Sequence, residues 1–137
     1  MGYTTFDKAG YDAFKANDRD GPVHMLNLVK LRAQAEYADG RVATGEEAYA
    51  AYGRESMATF AKLGGKIIWR GDMEQMLIGP EKQWDLCFIA EYPSVEAFTS
   101  MHKYPEYRAA VVHRQAAVED SRLIRMAPKD LGGNFGE

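Results

Sequence analysis

Five side chains in this 137-residue sequence have the chemistry to hold or turn over a small polar molecule: Asn27, Tyr52, Arg70, Glu91 and His113. Arg70 stands in Gly64-Gly65-Lys66-Ile67-Ile68-Trp69-Arg70-Gly71, one guanidinium among strongly apolar neighbours. A guanidinium grips a carboxylate or an enolate through charge-assisted hydrogen bonds. Asn27 orients a carbonyl, and Glu91 completes a candidate substrate-binding set with Arg70. His113, with an unperturbed pKa near ~6.5, is the candidate proton carrier, and Tyr52 is the second candidate catalytic group. The same residues also admit a purely structural arrangement. In that case Arg70 and Glu91 form an ion pair, Asn27 satisfies backbone groups and His113 lies on a helix surface.

Other chemistries find less support. His24, His102 and His113 lack metal-ligand spacing and no CxxC is present, so no metal site is expected. Gly64-Gly65 and Gly132-Gly133 lack the strand-loop-helix setting and following Lys-Ser/Thr of a phosphate loop, so no cofactor is expected. Cys87 sits in Leu86-Cys87-Phe88-Ile89-Ala90 and reads as a small buried hydrophobe rather than a nucleophile. Seventeen basic and 20 acidic residues give a net charge of -3 without a block of one sign, which argues against nucleic acid as a partner. The sequence has no apolar run of membrane-spanning length and no charged-then-apolar leader, so a cytoplasmic protein without a membrane partner is expected. The 46% hydrophobic and 27% charged content fits one ordinary globular domain.

The elements that must position these side chains follow from periodicity. Thr5 to Asn17 has Phe6, Ala9, Ala13 and Phe14 at helical spacing and predicts a short N-terminal helix capped by Thr4 or Thr5. Val23 to Leu31 predicts a strand with Val23, Met25, Asn27, Val29 and Leu31 on one face and His24, Leu26, Leu28 and Lys30 on the other. Apolar residues on both faces mean that both are covered. Thr44 and Glu47 form a capping box at the start of a helix that runs through Tyr49, Tyr52, Ser56, Phe60 and Leu63 to Gly64-Gly65. The strand Lys66 to Gly71 follows. Simple alternation sets Ile67 and Trp69 on one side and Lys66, Ile68 and Arg70 on the other. A short apolar return, Gln75 to Ile78, precedes the strand Gln83 to Tyr92. Ser94 caps a short helix, Tyr104-Pro105 opens a second with Tyr107, Ala110, Val111 and Arg114 on one side, and Ser121 to Met126 is the closing strand.

Strand, helix, strand, strand, broken helix, strand is the order of a ferredoxin-like βαββαβ sandwich of the α+β class, with both helical layers on one face of an antiparallel sheet. The boundaries are an N-terminal helical extension over residues 1–20, the sandwich over 21–127 and a tail over 128–137. The sheet's second apolar face is best covered by a second copy, giving a homodimeric α/β barrel.

A family resemblance supports this architecture. Asp39-Gly40-Arg41, Thr44-Gly45-x-x-Ala48-Tyr49-x-x-Tyr52, Gly64-Gly65-x-x-x-Trp69-Arg70-Gly71, Glu91-Tyr92-Pro93-Ser94-x-x-Ala97-Phe98, Pro105-Glu106-Tyr107 and Glu119-Asp120-Ser121-Arg122-Leu123-Ile124 together resemble domain-of-unknown-function family 1330, over about Gly21 to Met126. The resemblance implies the dimeric α/β-barrel superfamily and a homodimer, but no shared reaction. Two functional expectations stand: a cofactor-independent enzyme, monooxygenase- or isomerase-like, acting on a small carbonyl or aromatic acid, or a non-catalytic dimer that binds or senses such a molecule.

Overall fold

In the computed structural model, which describes residues 2–137, the chain runs α1 (Lys8–Ala16), β1 (Val23–Leu31), α2 (Gly45–Lys62), β2 (Lys66–Gly71), β3 (Leu86–Tyr92), α3 (Val95–Met101), α4 (Pro105–Ala117) and β4 (Val118–Met126). The sheet order is β2-β3-β1-β4 and every neighbouring pair is antiparallel. This is the ferredoxin-like α+β sandwich, with α1 as an addition at the N-terminus. No helix among the described residues is long and apolar enough to cross a membrane.

Local sequence explains the helix ends. The Thr44 hydroxyl accepts the Glu47 N–H while the Glu47 carboxylate accepts the Thr44 N–H, so two otherwise orphaned donors are satisfied at the start of α2. At its other end Gly64 takes a φ of 81°, and Gly65 N–H and Gly64 N–H bond the carbonyls of Phe60 and Ala61. That is the Schellman pattern, which needs a left-handed residue and finds a glycine. Ser94 caps α3, and Pro105 opens α4 where its missing N–H costs nothing. The first helix is capped by Asp7 rather than Thr4 or Thr5 and is correspondingly shorter than the apolar spacing predicts. Residues 72–85 form no strand, so the apolar return at Gln75 to Ile78 is loop and β3 begins at Leu86.

The helix-bearing face of the sheet carries Val23, Met25, Asn27 and Val29 from β1, as alternation predicts. Packing against it makes two clusters: Val23, Met25, Ala90, Tyr92, Phe98 and Tyr107 in one, and Val29, Ala48, Ala117 and Val118 in the other. The opposite face bears no helix. On it a single apolar row crosses all four strands, Trp69 beside Ile89, Ile89 beside Leu26, Leu26 beside Ile124. Trp69 and Ile124 are 50% and 46% exposed, far more than their size favours in a lone chain.

Strand β2 departs from simple alternation. Its register with β3 shifts between Ile67, opposite Ala90, and Trp69, opposite Ile89, which leaves Ile68 as the extra residue of a bulge. One extra residue inverts the parity of everything after it. Ile67 therefore faces the helices and Trp69 the open side. Arg70 falls opposite Phe88, on the helix-bearing side of an edge strand, and not on the open face that alternation assigns to it.

Candidate functional site

Between the sheet and the helices lies a cavity of about 750 Å³, within the size range of small-ligand sites. Its floor is Met25, Asn27, Phe88, Ala90 and Leu123 of the sheet. Its walls are Tyr49, Tyr52 and Phe60 of α2, Phe98 and His102 at α3, and Tyr107, Val111 and Arg114 of α4. The N-terminal segment closes the remaining side with Tyr3, Phe6, Tyr11 and Phe14. The lining is chiefly aromatic and aliphatic, so the few polar groups in it carry whatever discrimination the site has.

Three guanidinium groups are among them: Arg122 is paired with Asp120, Arg125 donates to the Phe14 and Asn17 carbonyls, and Arg114 comes from α4. The helical spacing that sets Tyr107, Ala110 and Val111 on one side of α4 brings Arg114 to the same cavity wall. Its Nη1 donates to the Thr4 carbonyl at 2.6 Å, and among the described residues no carboxylate lies within ion-pairing distance of it. Beside it Tyr49 and Tyr52 pack at 5.4 Å between ring centres, and the Tyr52 and Tyr107 hydroxyls share a 2.7 Å hydrogen bond. Burial pushes all three phenols above their ordinary pKa, and the Arg114 charge only partly opposes that rise. They are neutral hydrogen-bonding groups throughout the physiological range.

His102 caps α3 inside a ring of aromatic neighbours: Phe98, Tyr107, Phe6 and Tyr11 lie 5.0, 5.2, 5.3 and 6.0 Å away between ring centres. Its Nδ1 donates to the Phe98 carbonyl at 3.1 Å. That bond fixes the tautomer, since a carbonyl can only accept, and leaves Nε2 as the basic nitrogen. Burial lowers the imidazole pKa. The linkage has a definite sign. A histidine held neutral in the fold contributes stability that is fully present above its unfolded value of about 6.5 and is lost as pH falls from there through the depressed folded value. Thermal melts at pH 5 and pH 7.5 are expected to show a drop in Tm for the wild type that is smaller in His102→Phe.

The structure divides the five residues selected from sequence. Asn27 and Tyr52 line the cavity. Asn27 donates Nδ2–H to the Met25 carbonyl at 3.0 Å, the backbone role that was its structural alternative, and keeps its own carbonyl oxygen free to accept. Glu91 lies on the opposite face of the sheet, paired with His24 at 2.7 Å and Lys66 at 3.5 Å, so neither the Asn27–Arg70–Glu91 set nor the Arg70–Glu91 ion pair is assembled within the chain. Those two partners, His24 first, hold the Glu91 carboxyl below its usual range. Arg70 is turned by the Ile68 bulge to the helix-bearing side of the edge strand β2, where with Asp72 and Phe88 it lines a separate small pocket. His113 does not line the cavity: Tyr37 Oη lies 2.6 Å from its Nδ1 and Glu55 Oε2 2.8 Å from its Nε2, so it clamps the β1–α2 loop onto α2 and α4. Arg114 and His102 line the cavity, and Arg70 and His113 do not. The signal for Arg114 was its place on the Tyr107–Val111 stripe; His102 offered none, because its surroundings come from distant segments.

Among the described residues no group of three His, Cys, Asp or Glu side chains is placed to hold a metal ion. Cys87 is partly buried, and its thiol pKa is raised by that burial and by Asp72.

Comparison with known proteins identifies the fold's kin without naming a reaction. No curated protein matches the chain. The crystal structure of methylated RPA0582 is 59% identical, with 96% of this chain and 98% of that one aligned and a TM-score of 0.95. A second structure of RPA0582, a protein of unknown function from Rhodopseudomonas palustris, is 57% identical over 96% and 100% of the two chains with a TM-score of 0.93. A "dabb" family protein with a ferredoxin-like fold from Mesorhizobium loti is far more distant, at 18% identity over 82% and 100% and a TM-score of 0.48. The model of the "Domain of unknown function (DUF1330)" matches residues 35–127, from the β1–α2 loop through β4, and the chain belongs to that family.

Proposed function

We propose that the cavity binds a small planar carboxylic acid or enolisable carbonyl compound, with Arg114 as its anchor. The observation that carries this reading is a guanidinium without a carboxylate partner on the wall of an apolar cavity. An anionic ligand would supply the missing countercharge where low polarity makes the interaction strong. The Asn27 carbonyl oxygen and the neutral phenols of Tyr52 and Tyr107 serve as orienting groups, and the aromatic walls favour a flat ring.

His102 favours turnover over simple storage. Its Nε2 takes a proton from the carbon beside the carbonyl, the C–H electron pair becomes the enolate that Arg114 stabilises, and return of the proton to another atom completes an isomerisation. No cofactor is needed for that cycle. Titration calorimetry with benzoate and benzamide tests the anchor: benzoate is expected to bind and its uncharged isostere to bind at least about tenfold more weakly, a difference of about 1.4 kcal/mol. Equal affinities would sink the Arg114 reading. Proton transfer is read by NMR in D₂O with phenylpyruvate, whose methylene hydrogens are expected to exchange faster with wild type than with His102→Phe.

The same reading takes the protein as a homodimer closed through the open faces of its two sheets. The row Trp69, Ile89, Leu26 and Ile124 is what supports it, flanked by the polar pairs of His24, Glu91 and Lys66. Ile89→Glu places a charge at the centre of that row, and light scattering is expected to show one chain where wild type shows two.

A further inference from the structure

We propose that residues 3–17 are a hinged cover for the cavity and that Arg114 couples its closing to an anionic occupant; the coupling rests on the ligand reading above. Helix α1 buries none of its own residues, yet Phe6, Tyr11 and Phe14 from this segment wall the cavity. Few buried contacts and a reliance on partly exposed hydrogen bonds mark a segment that opens at low cost.

The fastenings fall into two kinds. The near end is tied to β4, where Tyr3 and Ser121 border the cavity. Tyr3 N–H donates to Asp120 Oδ1 at 2.7 Å and the Ser121 hydroxyl donates to the Tyr3 carbonyl at 2.7 Å, while at the far end Gly21 takes a φ of 94° just before β1. Gly2 sits so close to β4 that an added Cβ would lie 1.9 Å from the Glu119 carbonyl oxygen. The middle is held by groups at the cavity rim: Arg114 on the Thr4 carbonyl, Arg125 on the carbonyls of Phe14 and Asn17, the Tyr11 hydroxyl on the Thr99 carbonyl and the Phe14 ring stacked 4.5 Å from Phe98.

Arg114 therefore faces two ways. A guanidinium has five N–H donors and one accounts for Thr4, so others remain for a carboxylate inside. An occupant that orders Arg114 and touches Phe6, Tyr11 and Phe14 prefers the closed state, and by linkage it must hold the cover shut. The cover precedes β1 and so stands outside the βαββαβ order of the sandwich. It is thus a wall added to that fold, and it decides which ring sizes fit.

Hydrogen exchange with benzoate and 2-naphthoate as probes tests this. In wild type the amides of residues 3–17 are expected to exchange faster than those of β1, and to slow by about tenfold at saturating probe. Gly2→Val, which breaks an anchor at a residue that does not itself line the cavity, is expected to leave the core protected, expose residues 3–17 and speed probe release by about tenfold or more. Probe binding with unchanged exchange over residues 3–17, or release from Gly2→Val at the wild-type rate, overturns the cover and leaves the ligand reading standing. Failure of both probes to bind wild type overturns the two together.

Discussion

Arg114→Met is expected to abolish discrimination in favour of a carboxylate while leaving the fold intact. Methionine keeps the apolar stem and much of the volume, so the variant isolates the charge. Losing a charge-assisted pair in an apolar cavity costs about 3 kcal/mol, or roughly a hundredfold in Kd for benzoate, whereas benzamide binding changes little. The stability of the empty protein should move by no more than about 1 kcal/mol. The variant forfeits the bond to the Thr4 carbonyl but also removes an unneutralised cation from among the rings of Tyr49, Tyr52 and Tyr107. A structural arginine behaves in the opposite way. If Arg114→Met melts far below wild type and binds benzoate as tightly, the guanidinium holds the fold and has no part in recognition.

Phe98→Ala is expected to be among the most damaging single changes in the chain. Phe98 is 5% exposed and touches Tyr92 at 5.1 Å, His102 at 5.0 Å and Phe14 at 4.5 Å between ring centres, so it joins β3, α3 and the N-terminal segment at one point. Truncation to alanine removes the transfer free energy of the ring and enlarges a space the neighbours cannot close, at a cost of about 3–5 kcal/mol. That is a large fraction of the about 5–15 kcal/mol that holds a typical domain folded. Urea titration should show the midpoint falling steeply with little change in slope, and Phe98→Leu should recover most of the loss. A change of under about 1 kcal/mol would mean that the cavity already relaxes into the vacated space.

What the sequence disclosed and withheld follows from the range of each signal. Strand β1, the α2 capping box, the Gly64 stop and the Ser94 cap are local, set by periodicity or by residues three or four apart, and each was legible. Element order then gave the ferredoxin-like sandwich. The Ile68 bulge was not legible, because Lys66 to Gly71 reads as an unbroken apolar strand and only its pairing with β3 reveals the extra residue. That one displacement moved Arg70 to the helix-bearing edge. Glu91 was grouped with Asn27 for a related reason: its face was implicit in its parity with Ala90 and Tyr92, but the partners that occupy it, His24 and Lys66, come from other strands. His113 and His102 look alike along the chain. Only tertiary contacts make the first a clamp between Tyr37 and Glu55 and the second a neutral imidazole in an aromatic ring.

The bulge at Ile68 has a consequence for growth beyond a single molecule. Strand β2 is an edge of the sheet, and a flat, regular edge is a template on which further strands add without limit. Here the extra residue kinks the ladder two positions after Lys66, and Gly71 ends it, so an incoming strand meets a broken row of donors and acceptors beside a positive charge. Sideways propagation toward a filament is disfavoured at that edge. The apolar material that would drive it is turned instead, through Trp69, onto a bounded surface, where the proposed contact with a second copy would close on itself and stop.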